Sequence, residues 1–313
     1  MSVTQDSSKP APRYCFIVVS YNTLSLTRAA LASIRQHAAG FPHEVIVADN
    51  GSSDGSASTL PQEFPQAQVL ALGQNYGFAG ATNRATRLAC APWLVMFNSD
   101  AELLPETMSN VEDLLARHPN IDILGGQLLN SNGSLQRSVA IERSPRRFEQ
   151  QHQDIELVEV DGIVGAFMVI RHDLWRRLEG MDDGFFLYYE ETDFCWRARQ
   201  LGKTVHWSPR IRVLHHRGRS TGQVSLRAKV EFCRSHDRFS RKHLLPLRYW
   251  VFRVTNLASL AFNTAGNLFL CGLTLGLHPK IRSRLRWYSH LLNWRWRGCP
   301  AEWGLTTQGR PGQ

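Results

Sequence analysis

Four short apolar runs, each followed by small or polar residues, stand in the first hundred residues. They cover Tyr14–Ser20, Glu44–Ala48, Gln68–Leu72 and Pro92–Phe97. Runs of this length are typical of strands buried on both faces. Apolar positions recur at helical spacing from Leu24 to His37, between the first two runs. This alternation predicts an α/β fold with a largely parallel sheet, whose ligands bind beyond the carboxyl ends of the strands.

Polar residues follow the first two predicted strands, where such ligands would lie. The first strand leads into Ser20, Tyr21 and Asn22, and the second into the loop 49–56. The Asp49 carboxylate can accept a hydrogen bond from the ring N–H of a pyrimidine base. The alternative for this loop is a plain turn whose side chains, those of Asp54 and Ser56, cap a helix.

The third and fourth strands also end in candidate ligand loops. Residues 73–83 are rich in glycine, which would let the backbone approach a ligand before a helix from Arg84 to Cys90 begins. Asp100, at the exit of the fourth strand, suits a hard divalent cation. A strand-end aspartate also caps helices, and Pro105 with Glu106 predicts a helix just beyond it.

The segment 185–197 concentrates carboxylates where an aromatic run turns into a helix. These carboxylates belong to Glu190, Glu191 and Asp193. Phe194, Ala198 and Leu201 recur at helical spacing, which predicts a helix beginning near Glu190. Acids at such a position either complement the helix dipole or carry chemistry, and the segment alone does not decide between the two.

Taken in order, these motifs resemble the family 2 inverting glycosyltransferases of the GT-A fold, and most of all their bacterial rhamnosyltransferase-like branch. The matching motifs are VVSYN (18–22), VADNGSSDGS (47–56), NYGFAGATN (75–83), NSD (98–100), VDGIVGAFM (160–168), GMDDGFF (180–186), YEETDFC (189–195) and VLHHRGRS (213–220). Each motif is weak by itself, but eight in the expected order form a specific signal over roughly residues 14–222.

The resemblance implies a Rossmann-like mixed sheet flanked by helices, a nucleotide-sugar donor and a divalent metal ion, Mn²⁺ or Mg²⁺. It places the metal at Asp100 and His215, and the base of the nucleotide at Asp49. The implied donor-site residues are Ser20, Tyr21, Asn22, Asp49, Asn75, Gly77, Phe78, Ala79, Asn83, Asn98, Ser99, Asp161 and Gly165. A metal ion that bridges two phosphates neutralises the departing nucleoside diphosphate, and an imidazole ligand slightly favours manganese. Without the resemblance, a partly buried structural histidine is the favoured interpretation of His215.

The resemblance also assigns a catalytic base, at the position of Glu191. In the family this base is usually the aspartate of a Glu-Asp pair, whereas this chain has Glu190-Glu191. We therefore expect Glu191 to be the base with a compensating backbone shift; Glu190 or Asp193 as the base, or a catalytically impaired protein, are the alternatives. The acceptor hydroxyl would attack the anomeric carbon opposite the diphosphate in one inverting displacement. Gly165 would leave room for the acceptor, although residues 163–170 also fit a plain buried strand.

Length and cysteine usage favour one catalytic domain with an appendage. We expect a disordered start over residues 1–12, a catalytic domain over 13–225 and a basic, amphipathic helical extension over 226–313. The six cysteines show no paired spacing, which indicates a reducing compartment and argues against a zinc site. No signal sequence is recognisable, so we expect a protein that is not secreted.

The basic charge of the chain lies in its last third. Residues 203–313 contain 20 Lys and Arg against 3 Asp and Glu, and the stretch 254–277 contains no charged residue. Asparagines and glycines within that stretch make a membrane span less favourable than helices lying in the interface of an anionic membrane. Packing against the catalytic domain is the further alternative. We expect no nucleic-acid partner, since no recognised nucleic-acid motif accompanies the charge.

These observations favour a metal-dependent inverting glycosyltransferase in the synthesis of bacterial cell-surface polysaccharide. The donor would be a dTDP- or UDP-sugar, with L-rhamnose as the favoured sugar. The acceptor would be a saccharide linked to polyprenyl diphosphate, on the inner face of the cytoplasmic membrane. A nucleotidyltransferase of the same fold and a non-catalytic membrane or nucleic-acid adaptor are the alternatives.

Overall fold

The computed structural model describes residues 10–140, 145–216 and 226–305. Within them the chain forms two compact units. The first contains residues 10–184 and 190–216, and the second contains 185–189 and 226–305. Of the start expected to be disordered, residues 1–9 lie outside the described part.

The first unit contains a sheet of ten described strands. They are β1 (Tyr14–Ser20), β2 (His43–Asp49), β3 (Ala67–Ala71), β4 (Trp93–Asn98), β5 (Ala101–Leu103), β6 (Ile123–Leu129), β7 (Leu135–Gln136), β8 (Val158–Glu159), β9 (Phe167–Arg171) and β10 (Val205–His215). Its helices are α1 (Leu24–His37), α2 (Ser56–Glu63), α3 (Gly77–Thr86), α4 (Thr107–Arg117), α5 (Pro145–Gln151), α6 (His172–Arg177) and α7 (Glu190–Gln200). The mixed α/β class expected from the sequence is confirmed.

The strand order is β3-β2-β1-β4-β9-β6-β10-β5, with β7 beside β6 and β8 beside β10. Strands β1, β2, β3 and β4 are mutually parallel, and β9 is antiparallel to both of its neighbours. The register places Ser20 opposite Asp49 and Val19 opposite Asn98. The polar residues that end β1, β2 and β4 therefore share one edge of the sheet. Apolar clusters cover both faces, which explains the uninterrupted apolar runs.

Two elements differ from the sequence-based expectation. The helix expected from Arg84 begins at Gly77, because the Asn75 side-chain oxygen accepts the Gly77 N–H at 2.8 Å and starts the helix within the glycine-rich segment. Residues 77–83 are consequently helical. The strand expected over 163–170 is β9, which begins only at Phe167, while Ile163 forms an isolated bridge to Val139.

The second unit contains three α-helices among its described residues, α8 (Leu226–His243), α9 (Pro246–Leu273) and α10 (Pro279–Trp296), followed by a short 3₁₀ helix (Ala301–Trp303). Its small core consists of Val230, Leu291 and Trp294. No residue of α9 is buried, and many of its large apolar side chains are exposed. Within the described residues, no helix combines the length and the apolar character that a membrane crossing requires.

Candidate active site

Asp49 ends β2 with a buried carboxylate. One carboxylate oxygen, Oδ1, accepts the backbone N–H of Ser52 at 3.0 Å. The other, Oδ2, is buried and has no hydrogen-bond partner among the described residues. An unpaired buried carboxylate oxygen is costly, and a ligand N–H would remove that cost. Asp49 thus has the geometry of an acceptor for a ligand donor group.

Asn50 connects the loop after β2 to the glycine-rich segment. Its side-chain N–H donates to the Asn75 side-chain oxygen at 2.9 Å, and its own side-chain oxygen accepts the Tyr76 N–H at 2.8 Å. Gly51 has a φ of +79°, and a Cβ there would lie 2.7 Å from the Gln74 backbone. The two loops are therefore packed backbone against backbone. Sequence reasoning did not select Asn50, whose only signal was its place after Asp49.

Asp54 and Asn22 fix the loop that follows β1. The Asp54 carboxylate accepts the backbone N–H groups of Leu24 at 2.8 Å and Ser56 at 3.1 Å, which start α1 and α2. Desolvation raises the pKa of Asp54, but the hydrogen bonds from Ser56 and Leu24 outweigh it and lower the pKa overall. Asn22, with a φ of 54°, accepts the Ser53 N–H at 2.8 Å. The Asp54 carboxylate thus binds the first backbone N–H of two helices, and Ser56 is the first residue of α2.

Asp100 and His215 lie side by side at the same sheet edge. Strand β5 pairs with β10 so that Ala101 lies opposite His215, which brings the carboxylate and the imidazole together from distant parts of the chain. His215 Nε2 is 3.2 Å from Asp100 Oδ1 and 3.5 Å from Asn98 Nδ2, and both residues are largely buried. Ser99, which lies between Asn98 and Asp100 in the sequence, accepts a hydrogen bond from the Thr23 hydroxyl at 3.2 Å.

This pair fits part of a divalent metal site. Adjacent ligands of an octahedral ion stand about 3.0 Å apart when each bond is about 2.1 Å, which is close to the observed separation. Within the described residues, no cluster of three or more His, Cys, Asp or Glu side chains suits a metal ion. Magnesium-type sites commonly take one or two protein ligands and fill the remaining positions with phosphate oxygens and water. The two residues therefore suit an ion that arrives with a phosphorylated ligand.

Glu191, in the first turn of α7, reaches the same edge through the segment before β9. The Asn98 N–H donates to the Ala166 carbonyl at 3.1 Å, and a Cβ at neighbouring Gly165 would lie 3.3 Å from the Glu191 Cβ. Burial raises the pKa of the Glu191 carboxyl, while backbone N–H groups and the charge of Arg137 oppose this effect. Its carboxylate is therefore a stronger base than that of an exposed glutamate.

The other two carboxylates of this segment are more deeply buried. Asp193 is fully buried and pairs with Arg197 at 2.7 Å, one helical turn further on. Arg197 also donates to the carbonyl groups of Leu178 and Gly180. Asp193 therefore belongs to a network that holds α7 to residues 178–180. Glu190 is also buried.

Several predicted donor-site residues make contacts inside the fold. Ala79 is buried and Phe78 packs against one core cluster, while the Asn83 amide bonds to both the N–H and the carbonyl of Met181. Asp161 is half-exposed and pairs with Arg199 at 2.6 Å. Tyr21 is 43% exposed beside the edge. Residues 217–220 of the last motif lie outside the described part.

The parallel strands, the loops at their carboxyl ends and the acid–histidine pair define a GT-A type nucleotide-sugar transferase fold. Residues 15–178 match the sequence profile described as Glycosyl transferase family 2. The chain belongs to this family.

Individual relatives agree with this assignment. An N-acetylglucosaminyl-diphospho-decaprenol L-rhamnosyltransferase of Mycobacterium tuberculosis is 26% identical over 68% of this chain and 80% of its own length. The low-salt glycan biosynthesis hexosyltransferase Agl10 of Haloferax volcanii is 26% identical over 63% of this chain and 69% of its own.

Among solved structures, the mannosyltransferase PcManGT of Pyrobaculum calidifontis, in complex with GDP-Man and Mn²⁺, superimposes with a TM-score of 0.57. The match has 18% identity and covers 91% of this chain and 88% of that one. GalNAc-T7 with UDP, GalNAc and Mn²⁺ gives a TM-score of 0.56 at 13% identity, over 75% of this chain and 50% of that one. At these identities, the structural matches show the GT-A fold.

Proposed function

We propose that the protein is a metal-dependent inverting glycosyltransferase that moves a sugar from a dTDP- or UDP-sugar to a polyprenyl-diphosphate-linked saccharide. The observation that carries this proposal is the shared edge at which the Asp49 carboxylate, the Asp100–His215 pair and the Glu191 segment meet. The named activity of the mycobacterial relative makes L-rhamnose the first sugar to test, and cell-surface polysaccharide synthesis the setting.

Each residue then has a defined task. The unpaired oxygen of Asp49 accepts a pyrimidine N–H, and Asn50 holds the glycine-rich segment beside it. Glu191 removes the proton of the acceptor hydroxyl as the hydroxyl oxygen attacks the anomeric carbon from the face opposite the leaving diphosphate. A single displacement inverts the anomeric centre and requires no covalent intermediate with the protein.

Asp100 and His215 would hold the divalent ion, Mn²⁺ or Mg²⁺. When bound, this ion neutralises the charge that develops on the departing nucleoside diphosphate. Asn98 and Ser99 position the pair, since the Asn98 N–H donates to the carbonyl of Ala166 and Ser99 accepts a hydrogen bond from Thr23.

The donor can be identified by a thermal-shift panel of UDP-, dTDP- and GDP-sugars with and without Mn²⁺. A ligand that binds the folded state raises the melting temperature. We expect a shift with a pyrimidine nucleotide that depends on Mn²⁺ and is lost in Asp100→Asn. Product analysis should then show nucleoside diphosphate; release of pyrophosphate would indicate a nucleotidyltransferase, and a flat panel would contradict the proposal.

We also propose that the second unit binds the anionic cytoplasmic face of the membrane, where a lipid-linked acceptor resides. Helix α9 exposes most of its large apolar side chains, while its half-buried face mixes apolar residues, such as Phe252 and Leu260, with polar ones. Its half-buried positions, spaced as one helical face, include Asn256, Asn263 and Asn267. Its exposed positions include Trp250, Val254, Leu257, Phe262, Leu268, Phe269, Leu270 and Leu273.

The polar groups of α9 are satisfied within the helix. Asn263 and Asn267 donate to backbone carbonyl groups one turn earlier. The exposed apolar face continues into Leu275 and Leu277, which are 84% and 78% exposed. Helix α10 then exposes Lys280, Arg282, Arg284 and Arg286. Apolar surface beside a row of cations complements the acyl chains and headgroups of an anionic bilayer.

A further inference from the structure

Gln136, which no motif singled out, is hydrogen-bonded to the imidazole proposed to hold the metal. It lies in the two-residue strand β7, where its backbone pairs with Leu128 of β6, and it is 4% exposed. Its side-chain oxygen Oε1 is 2.5 Å from Nδ1 of His215. Nε2 of the same ring faces Asp100, so the two ring nitrogens have different partners.

The surroundings of Gln136 determine which way its amide points. Its Nε2 donates to the Asn130 side-chain oxygen at 2.8 Å and to the His215 carbonyl at 3.2 Å, and both of these atoms can only accept. Asn130 is oriented in turn, because its own amide N–H donates to the Ser134 backbone carbonyl, which can only accept, at 3.3 Å. The oxygen of the Gln136 amide is therefore the atom that faces the imidazole.

An amide oxygen only accepts hydrogen bonds, so Nδ1 of His215 carries a proton. In the neutral ring, which is the form that binds a metal ion, the lone pair of Nε2 then points towards Asp100. We propose that Gln136 is a positioning residue that fixes the tautomer and the ring orientation of His215 for metal binding. This inference rests on the proposed role of His215 as a metal ligand. Partners of this kind on metal-bound histidines typically contribute 10- to 100-fold to metal affinity.

The test compares wild type with Gln136→Met, which has similar length but accepts no comparable hydrogen bond. We expect calorimetric titration with MnCl₂ to show roughly 10- to 100-fold weaker binding for Gln136→Met. Gln153→Met is the matched control, because the Gln153 amide bonds to the Glu149 carbonyl and to Gln127. Equal Mn²⁺ affinity of wild type and Gln136→Met would overturn the inference.

A second measurement reads the tautomer directly. In protein labelled with ¹⁵N-histidine and held in excess Mg²⁺, long-range ¹H–¹⁵N spectra should show His215 protonated at Nδ1 in wild type. A wild-type ring protonated only at Nε2 would overturn the inference even if Gln136→Met failed to fold. His215→Ala separates this inference from the proposed function. If His215→Ala binds Mn²⁺ as wild type does, the metal role of His215 fails, whereas the spectra still report on Gln136.

Discussion

Glu191 and Asp193 stand two positions apart, yet their surroundings give them opposite properties. Burial raises the pKa of Glu191, so the fold disfavours the ionised form of its carboxyl. Asp193 is buried against Arg197, which compensates its charge. Replacing each carboxylate by its amide should therefore lower the catalytic rate at Glu191 and the stability of the fold at Asp193.

We expect Glu191→Gln to lower kcat by roughly 10²- to 10⁴-fold while donor binding persists. Its melting temperature at pH 8 should equal or exceed that of wild type, because a raised pKa means that ionisation of Glu191 costs folding free energy as pH rises.

Asp193→Asn should instead destabilise the fold by roughly 3 kcal/mol, since it leaves Arg197 without its carboxylate. Steady-state kinetics measures the change in kcat, and urea unfolding measures the change in stability of each variant. Full activity of Glu191→Gln would exclude Glu191 as the base.

The pH profile provides an independent check on Glu191. A base must be ionised to act, so kcat/KM should fall as pH drops through a pKa above the ordinary glutamate value of 4.5. Glu191→Asp, which restores the residue usual in the family, should keep a measurable acidic limb. If kcat/KM of Glu191→Gln fell at the same acidic pH as that of wild type, the pH dependence would belong to a group other than Glu191.

At the scale of elements, the loops after β2 and β3, which we propose as the donor side, are packed backbone against backbone. Gly51 allows this contact, and Asn50 connects the two loops by hydrogen bonds. The positive end of the α3 helix dipole lies beside this contact. The early start of α3, at Gly77 rather than Arg84, is thus part of how the edge is built.

We expect Gly51→Ala to lower stability and to weaken nucleotide binding, because a Cβ would lie 2.7 Å from the Gln74 backbone. Gly133→Ala is the matched control: its φ of +78° is nearly the same, and nothing lies within 4 Å of the added carbon. In the control, the free energy of unfolding should fall only by the cost of placing a Cβ in the left-handed conformation, about 1 kcal/mol. Urea unfolding and thermal shifts with nucleotide compare the two. Equal effects would show that the loop contact is not required.

At the scale of the whole molecule, the basic charge and the exposed apolar surface lie together in the second unit. Helix α9 places asparagines on its packed face and large apolar side chains on its exposed face. This arrangement is unfavourable in water, because apolar area stays exposed, and favourable in a bilayer interface. The membrane proposal therefore depends on this unit alone.

We expect the protein to sediment with vesicles that contain phosphatidylglycerol, more weakly with pure phosphatidylcholine vesicles, and less as salt rises. The double change Phe262→Glu and Phe269→Glu should weaken vesicle binding at least tenfold, since each buried phenyl group contributes about 1.5–3 kcal/mol. Leu201→Glu, at an exposed leucine of the first unit, is the control and should bind as wild type does.

Light scattering after gel filtration tests the alternative to membrane binding, which is a dimer formed through α9. If the wild-type protein were a dimer that the double change dissociated, and neither form bound vesicles, the exposed face of α9 would be an interface between two copies.

The sequence by itself determined the elements whose signals are local. Strand β1 and helix α1 have the predicted bounds, α7 begins at Glu190, and Asp49 and Asp100 lie at strand ends as expected. These features follow from short apolar runs and helical periodicity, which neighbouring residues set. The order of the motifs along the chain produced the GT-A resemblance, and the resemblance predicted the family.

Only the tertiary structure decided which of these residues meet. The pairing of β5 with β10 brings His215 to Asp100, and β7 brings Gln136 to the far side of the same imidazole. The isolated bridge of Ile163 also depends on a partner distant in sequence, Val139. Periodicity along a chain reports which face of an element is buried, but not which distant side chain lies against it. The contacts that orient a site are therefore fixed by packing.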